Sequence, residues 1–129
     1  AILEGEWAAF ELDLGSLIAV ARDPVRYEDV ITYPALRQDL AFSVAEDVPA
    51  GDLIDAAHEA AGRELREMRV FDVYRGHELP NGRKSVAFLV VMLDTERTLT
   101  DSDGDRIVGQ IVATLSDRFG ATLRSQTSP

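Results

Sequence analysis

Residues 70–91, VFDVYRGHELPNGRKSVAFLVV, contain two runs of strand-favouring residues separated by a polar loop. The Pro-Asn-Gly sequence at 80–82 lies in that loop, and Asn and Gly tolerate the positive φ angles of a tight hairpin turn. Arg75 stands at one end of the loop, and Arg83 and Lys84 stand at the other. The segment predicts a β-hairpin with positive charge around its turn.

A strand and a helix are predicted before the hairpin. Leu40, Phe42 and Val44 alternate with smaller or polar residues, which indicates a half-buried strand. In residues 48–68 the apolar residues recur at intervals of three and four, so one stripe of a helix faces a core. That stripe consists of Leu53, Ile54, Ala57, Ala61 and Leu65, and Pro49 suits the first turn.

A second helix and a last strand are predicted after the hairpin. Thr100 followed by Asp103 has the spacing of a capping box, and Gly120 can end the helix in a left-handed conformation. Residues 121–124 then form a short strand. The helix presents one apolar stripe: Ile107, Val108, Ile111, Val112, Leu115 and Phe119.

The element order over residues 36–124 is therefore strand, helix, strand, strand, helix, strand. Two split β-α-β units of this kind predict an α+β fold, a ferredoxin-like β-α-β-β-α-β sandwich with one four-stranded antiparallel sheet and two helices on one face. Strand parity directs Phe71 and Val73 toward the helices, and Asp72 and Tyr74 toward the open face. RNA-binding modules use an open sheet beside basic loops in this way.

The N-terminal segment has a different pattern. Residues 7–14 alternate, which predicts a strand, and a short helix should begin at Ser16. Residues 22–34 contain two prolines and show no periodicity, which predicts an extended connector. In the strand, Trp7 and Phe10 are expected to pack on a neighbour.

Composition limits the function classes. A chain of 129 residues suits one core, the longest apolar run has eight residues, and there is no cysteine. We therefore expect no membrane span and no disulfide, and the acidic N-terminus argues against a secretory signal. The net charge is −10, but residues 63–84 carry six cations and four acids. The only basic neighbourhood therefore surrounds the predicted hairpin.

No catalytic or metal-binding residue is predicted. Residues 101–105, DSDGD, lack the glycine and the glutamate that a calcium loop needs further along. His58 and His77 stand on separate elements, without a nucleophile or a second ligand nearby.

Three stretches in order resemble one family. YPALRQDLAFSVAEDVP (33–49), VFDVYRGHELPNGRKSVAF (70–88) and ERTLTDSDGDRIVGQIVATLSDRFGATLR (96–124) resemble the C-terminal ferredoxin-fold anticodon-binding domain of bacterial phenylalanyl-tRNA synthetase β chains. The resemblance implies a domain at 32–124, the end of a preceding synthetase-like domain plus connector at 1–31, and a disordered tail at 125–129.

The resemblance also implies function. Such a domain holds the anticodon stem-loop of phenylalanine tRNA, while a separate α chain, in a heterotetramer of two α and two β chains, performs aminoacylation in the cytoplasm. ATP and magnesium belong to the whole enzyme; this fragment is expected to be non-catalytic, without a cofactor, and to bind neither DNA nor a membrane.

Five RNA-contacting residues are predicted on this basis: Arg37, Tyr74, Arg75, Arg83 and Lys84. Tyr74 would stack on a base and the cations would meet phosphates. The alternative for Arg37 is an ion pair with Asp39 or Asp72 that only stabilises the sheet. This chain departs from the family pattern by having Gln38 in place of a second arginine, and apolar Leu89 and Val91 on the open face.

A rival function is a protein-interaction module that docks another chain through the open face, with Leu89, Val91 and Leu93, and binds no RNA. The salt dependence of binding distinguishes these two functions, because phosphate binding weakens steeply as the salt concentration rises, whereas apolar docking does not. A small-ligand regulatory domain of the same fold lacks a polar or Gly-rich pocket signature.

Overall fold

The computed structural model describes residues 5–21 and 33–127. It divides the chain into two compact units, one up to residue 30 and one from residue 31 onward, and each is described by itself. Within the described ranges, no helix combines the length and the apolar character needed to cross a membrane.

The first unit contains helix α1, Leu14–Ala19. Asp13 caps it, because one carboxylate oxygen accepts from the Gly15 N–H at 2.9 Å and the other from the Ser16 hydroxyl at 2.8 Å. Hydrogen bonding to Ser16, and then to Gly15, lowers the pKa of Asp13.

The strand predicted before α1 is wrong, because residues 6–13 have no regular secondary structure. Trp7 and Phe10 are 69% and 88% exposed, so the packing expected of them is absent from the described unit. The helix starts two residues before Ser16. The connector predicted at 22–34 lies outside the described residues except for its last two positions.

The second unit confirms the predicted fold. The elements in chain order are β1 Leu36–Ala45, α2 Ala50–Ala61, β2 Leu65–Tyr74, β3 Arg83–Met92, α3 Asp101–Phe119 and β4 Thr122–Thr127. The sheet is antiparallel throughout, in the order β2-β3-β1-β4, so β3 and β1 are its central strands.

The core lies between one sheet face and the two long helices. Leu40 of β1 pairs with Phe88 of β3, and Phe42 pairs with Val86, so all four side chains share the helix-covered face. Each of the four has no exposed surface. The half-buried strand predicted from the alternation of Leu40, Phe42 and Val44 is thus confirmed, and burying these large apolar side chains is the main stabilising contribution.

The boundary between α2 and β2 differs from the prediction. Leu65 was expected in the helical stripe, but it is the first residue of β2. Gly62 causes the difference, because it has φ +60° and ends α2 at Ala61. A short 3-10 turn then reverses the chain, and β2 starts five residues before the predicted hairpin.

The inward orientation predicted for Phe71 is also wrong. The pairing of β2 with β3 shifts between Val70 and Asp72, so Phe71 is the extra residue of a β-bulge. Its side chain is 54% exposed. Beyond the bulge, side chains of β2 again alternate between the two faces of the sheet. Asp72 and Tyr74 lie on the open face, as predicted.

The final strand is longer than predicted. β4 continues to Thr127, so residues 125–127 belong to the sheet, although they were expected in a disordered tail. Residues 128 and 129 lie outside the described residues.

Helix α3 begins and ends as its sequence predicts. The Thr100 hydroxyl accepts from the Asp103 N–H, and the Asp103 carboxylate accepts from the Thr100 N–H at 2.9 Å. Gly120 follows the helix with φ 58° and ψ 30°, the left-handed conformation. Arg97 adds a bidentate pair, with both nitrogen–oxygen distances to Asp103 at 2.7 Å.

Replacing Asp103 by Asn is expected to lower the free energy of unfolding at neutral pH. The hydrogen bonds from Arg97, and then from Thr100, hold the pKa of Asp103 well below its ordinary value of 3.8, and they raise the pKa of Arg97. A depressed carboxyl pKa contributes stability that is complete above about pH 4 and is lost as the pH falls further. Denaturant unfolding at pH 7 and pH 2.5 should therefore show a difference between variant and wild type that narrows in acid. Asp105→Asn is the control, and an equal loss there would contradict the assignment.

Candidate nucleic-acid interface

The open face of the sheet carries small side chains at its hairpin end, which is the end of the sheet where β2 finishes and β3 begins. Strand register places one row of side chains there in the order Tyr74, Ser85, Ser43, Thr122. The next row is Asp72, Ala87, Ala41, Ser125. We call the four middle residues, Ser85, Ser43, Ala87 and Ala41, the central strip. Ser43 and Ser85 are only 6% and 5% exposed, and Arg83 Nε donates to Ser43 Oγ, whereas Ala41 and Ala87 are half-buried. A flat ligand can therefore approach the backbone most closely over the two alanines.

In the half of the open face away from the hairpin, charged side chains on β1 and β2 lie on either side of apolar residues of β3. Glu67 of β2 lies opposite Val91, which lies opposite Arg37 of β1. Although Val91 belongs to the open face, it is only 8% exposed. Arg69 pairs with Glu67 at 3.4 Å and lies opposite Leu89, which is half-buried. The apolar residues proposed for protein docking therefore form no broad exposed patch.

Glu46 joins the loop after β1 to the hairpin loop. Its N–H donates to the Gly82 carbonyl at 2.9 Å, and its own carbonyl accepts from Lys84 Nζ at 2.8 Å. Its carboxylate accepts from Arg75 Nε at 2.7 Å. The side chains of Arg75 and Glu46 are 59% and 47% exposed, so this ion pair is solvated and can exchange. Two of the predicted RNA contacts are thus held beside one acid.

Arg83 has a structural role. Its Nε donates to Ser43 Oγ at 2.9 Å, and one terminal nitrogen donates to the Ser43 carbonyl at 2.6 Å and to the Gly120 carbonyl at 2.9 Å. The guanidinium therefore links the start of β3 to β1 and to the end of α3. This use of three donors in a planar fork is specific to arginine.

Tyr74 presents an aromatic ring at the edge of the sheet, 42% exposed. Its ring extends forward along the chain toward Gly76, where the phenol end fills the space that a side chain would take. An exposed aromatic ring beside a low surface can accept a stacked base.

The predicted contact residues form two groups. Tyr74, Arg75, Arg83 and Lys84 lie at the hairpin end, whereas Arg37 lies eight residues from the end of β1, about 26 Å away at strand rise. Lys84 pairs with Val44, so it is directed to the helix side of the sheet and not to the open face. In the two described ranges, Arg37 forms no ion pair with Asp39 or Asp72.

Sequence reasoning missed Arg69 as a cation of the open face. The sequence predicts that the hairpin starts at Val70, which places Arg69 outside the strand. Gly62 itself is the available sequence signal, since a helix that ends at this glycine leaves room for a longer β2.

Charge is distributed unequally between the two layers. Helices α2 and α3 together carry seven acids and two arginines, whereas the strands and loops of residues 33–127 are balanced. A polyanion is therefore repelled by the helix layer more than by the strands and loops. Among the residues that the structure describes, no three acidic or histidine side chains are grouped to hold a metal ion.

Comparison with known proteins identifies the domain. A family model described as the ferredoxin-fold anticodon binding domain matches residues 32–124. The phenylalanine–tRNA ligase beta subunit of Methylococcus capsulatus is 44% identical over 115 residues, which cover 89% of this chain and 14% of that protein. The subunit of the same name from Geobacillus kaustophilus is 39% identical over 119 residues, covering 92% of this chain and 15% of that protein.

The chain thus spans about one seventh of the length of the curated relatives it matches. The matched range contains all four strands and the two long helices, except for the last three residues of β4. The chain therefore belongs to the ferredoxin-fold anticodon-binding domain family.

Proposed function

We propose that this domain binds the anticodon stem-loop of phenylalanine tRNA through the hairpin end of its open face. The observation that carries the proposal is the juxtaposition of exposed Tyr74, the central strip and the solvated Arg75. An unpaired base would stack on the Tyr74 ring, and the small side chains of Ala41 and Ala87 would let the RNA lie close to the sheet. Arg75 would exchange Glu46 for a phosphate.

The three other predicted contacts have different supporting roles. Arg83 holds the hairpin against β1 and α3, and so positions the surface more than it binds RNA. Lys84 approaches phosphates only at the rim, because it lies on the helix side. Arg37 lies six to eight residues along β1 from the positions opposite this group, about 20–26 Å by strand rise, so it would meet a different part of the stem.

In the whole protein, we propose that the domain orients the tRNA for a catalytic α chain in a heterotetramer of two α and two β chains, in the cytoplasm. ATP and magnesium would act at that other chain. This domain would contribute binding energy and no chemistry.

The test is binding of the chain to a fluorescently labelled phenylalanine-tRNA anticodon stem-loop over a salt series. Two or three phosphate contacts predict a slope of log affinity against log salt between about −1.4 and −2.1. Tyr74→Ala is expected to weaken binding by about 1–3 kcal/mol, which is about 5- to 150-fold. Arg75→Ala should reduce the salt slope by about 0.7.

Arg106→Gln is the matched control for charge. Arg106 lies on the first turns of α3 and pairs with Glu64, away from the hairpin end, so the salt slope should stay unchanged. A stem-loop with a non-cognate anticodon tests specificity. If wild type binds no RNA at low salt, or if Arg106→Gln weakens binding as much as Arg75→Ala does, the proposed surface is wrong and protein docking gains support.

A further inference from the structure

Position 76 holds a glycine because a side chain would not fit there, and not because its backbone has a positive φ angle. Among the described glycines, those at positive φ are Gly5, Gly62, Gly82 and Gly120, and Gly76 is not one of them. An alanine could therefore adopt its φ without strain. What excludes a side chain is the Tyr74 ring, because its hydroxyl, Cζ and Cε1 atoms occupy the position of a Cβ at residue 76.

This contact fixes one aromatic ring at the edge of the open face. Tyr74 precedes Gly76 by two residues, at the point where β2 ends and the loop begins. The Gly76 carbonyl accepts from the Leu79 N–H at 3.0 Å, so the backbone under the ring is itself held in a turn, and Leu79 is buried. The ring therefore rests on an ordered surface, with 42% of the residue still exposed.

We propose that Gly76 is a positioning residue for RNA binding, because its bare backbone holds the Tyr74 ring in place before a base stacks on it. This inference rests on the proposed function and names a residue of the same site. An ordered ring loses less rotamer freedom on binding than a mobile one. A side chain at 76 displaces the ring without removing it.

The RNA-binding test uses Gly76→Ala. We expect stem-loop affinity to fall about 2- to 13-fold, the cost of ordering one side chain on binding. In a Tyr74→Ala background, the same change should have no further effect, because there is no ring left to position. Gly51→Ala is the matched control, since Gly51 lies at the exposed start of α2 with no atom near the position of a Cβ. It should bind as wild type does.

An RNA-free measurement separates the contact from the binding. In wild type, the ring current of Tyr74 should shift the Gly76 α-proton resonances, and Tyr74→Leu should abolish that shift. Thermal unfolding of Gly76→Ala should resemble that of wild type, because only the far end of a side chain has to move. Gly76→Ser adds a Cβ at the same position and a hydroxyl, so it should lower stem-loop affinity at least as much as Gly76→Ala does.

The outcomes are distinct. Loss of affinity in Gly76→Ala that disappears in the Tyr74→Ala background supports the inference. An unchanged affinity, or an equal loss in both backgrounds, overturns it while wild-type binding leaves the proposed function standing. Failure of wild type to bind RNA overturns the proposed function and the positioning role together, whereas absence of the ring-current shift overturns the positioning role alone.

Discussion

Replacing Phe88 by alanine is expected to lower the free energy of unfolding by about 3–5 kcal/mol. Phe88 lies at the middle of a central strand, pairs with Leu40 on one side and Val70 on the other, and has no exposed surface. Its ring meets that of Phe42 edge to face, with centroids 6.3 Å apart. Removing it leaves a cavity between the sheet and the two long helices, and a close-packed interior closes such a cavity only in part.

That loss is large compared with the whole stability of a small domain, which is about 5–15 kcal/mol. Urea unfolding followed by far-ultraviolet circular dichroism is the appropriate measurement, because it follows the loss of the strands and helices that enclose this core. Phe71→Ala is the matched control. The same atoms are removed from a bulge that is 54% exposed, so the expected change is within about 0.5 kcal/mol. Equal losses for the two variants would contradict the assigned sheet register.

Replacing Arg83 by alanine is expected to lower the free energy of unfolding by about 2–3 kcal/mol. A hydrogen bond to a charged group contributes about 1.5–3 kcal/mol, and Arg83 makes three such bonds. Water replaces part of them, because Arg83 is only partly buried. The Ser43 and Gly120 carbonyls lose their donor in the variant, and the hairpin loses its link to the end of α3.

Arg83→Lys tests whether charge or geometry matters at this position. Lysine keeps the charge but lacks the planar fork, so most of the stability should still be lost in urea unfolding. Arg75→Ala is the stability control, because its exposed ion pair contributes about 0–1 kcal/mol. If Arg83→Lys retains full stability, the three hydrogen bonds do not hold the hairpin, and Arg83 becomes a candidate for direct phosphate contact again.

A basic residue near a turn can have one of two roles: it can bind a phosphate, or it can hold neighbouring elements of the fold together. The sequence places Arg75, Arg83 and Lys84 together around one loop, and charge alone gives them the same predicted role. In the structure, Arg75 is solvated beside Glu46, Arg83 joins three elements, and Lys84 lies on the opposite side of the sheet from Tyr74. Only Arg75 keeps both the exposure and the location for a simple phosphate contact.

Local patterns determined the element order, and hence the fold. Alternation in β1 and β3, the helical stripe of α3, the capping box at Thr100 and the left-handed Gly120 all act within a few residues, so each can be predicted without knowing the fold. The order of these elements then leaves few ways to form one sheet covered by two helices.

Tertiary structure decided what happens where two distant segments compete for the same space. The stripe that includes Leu65 is compatible with a helix, but the backbone turn at Gly62 and pairing with β3 place Leu65 in a strand. The bulge at Phe71 arises because β2 must match a neighbour of fixed register, which no local pattern encodes. The ring position of Tyr74 over Gly76 and the three bonds of Arg83 likewise depend on contacts made only after the chain has folded.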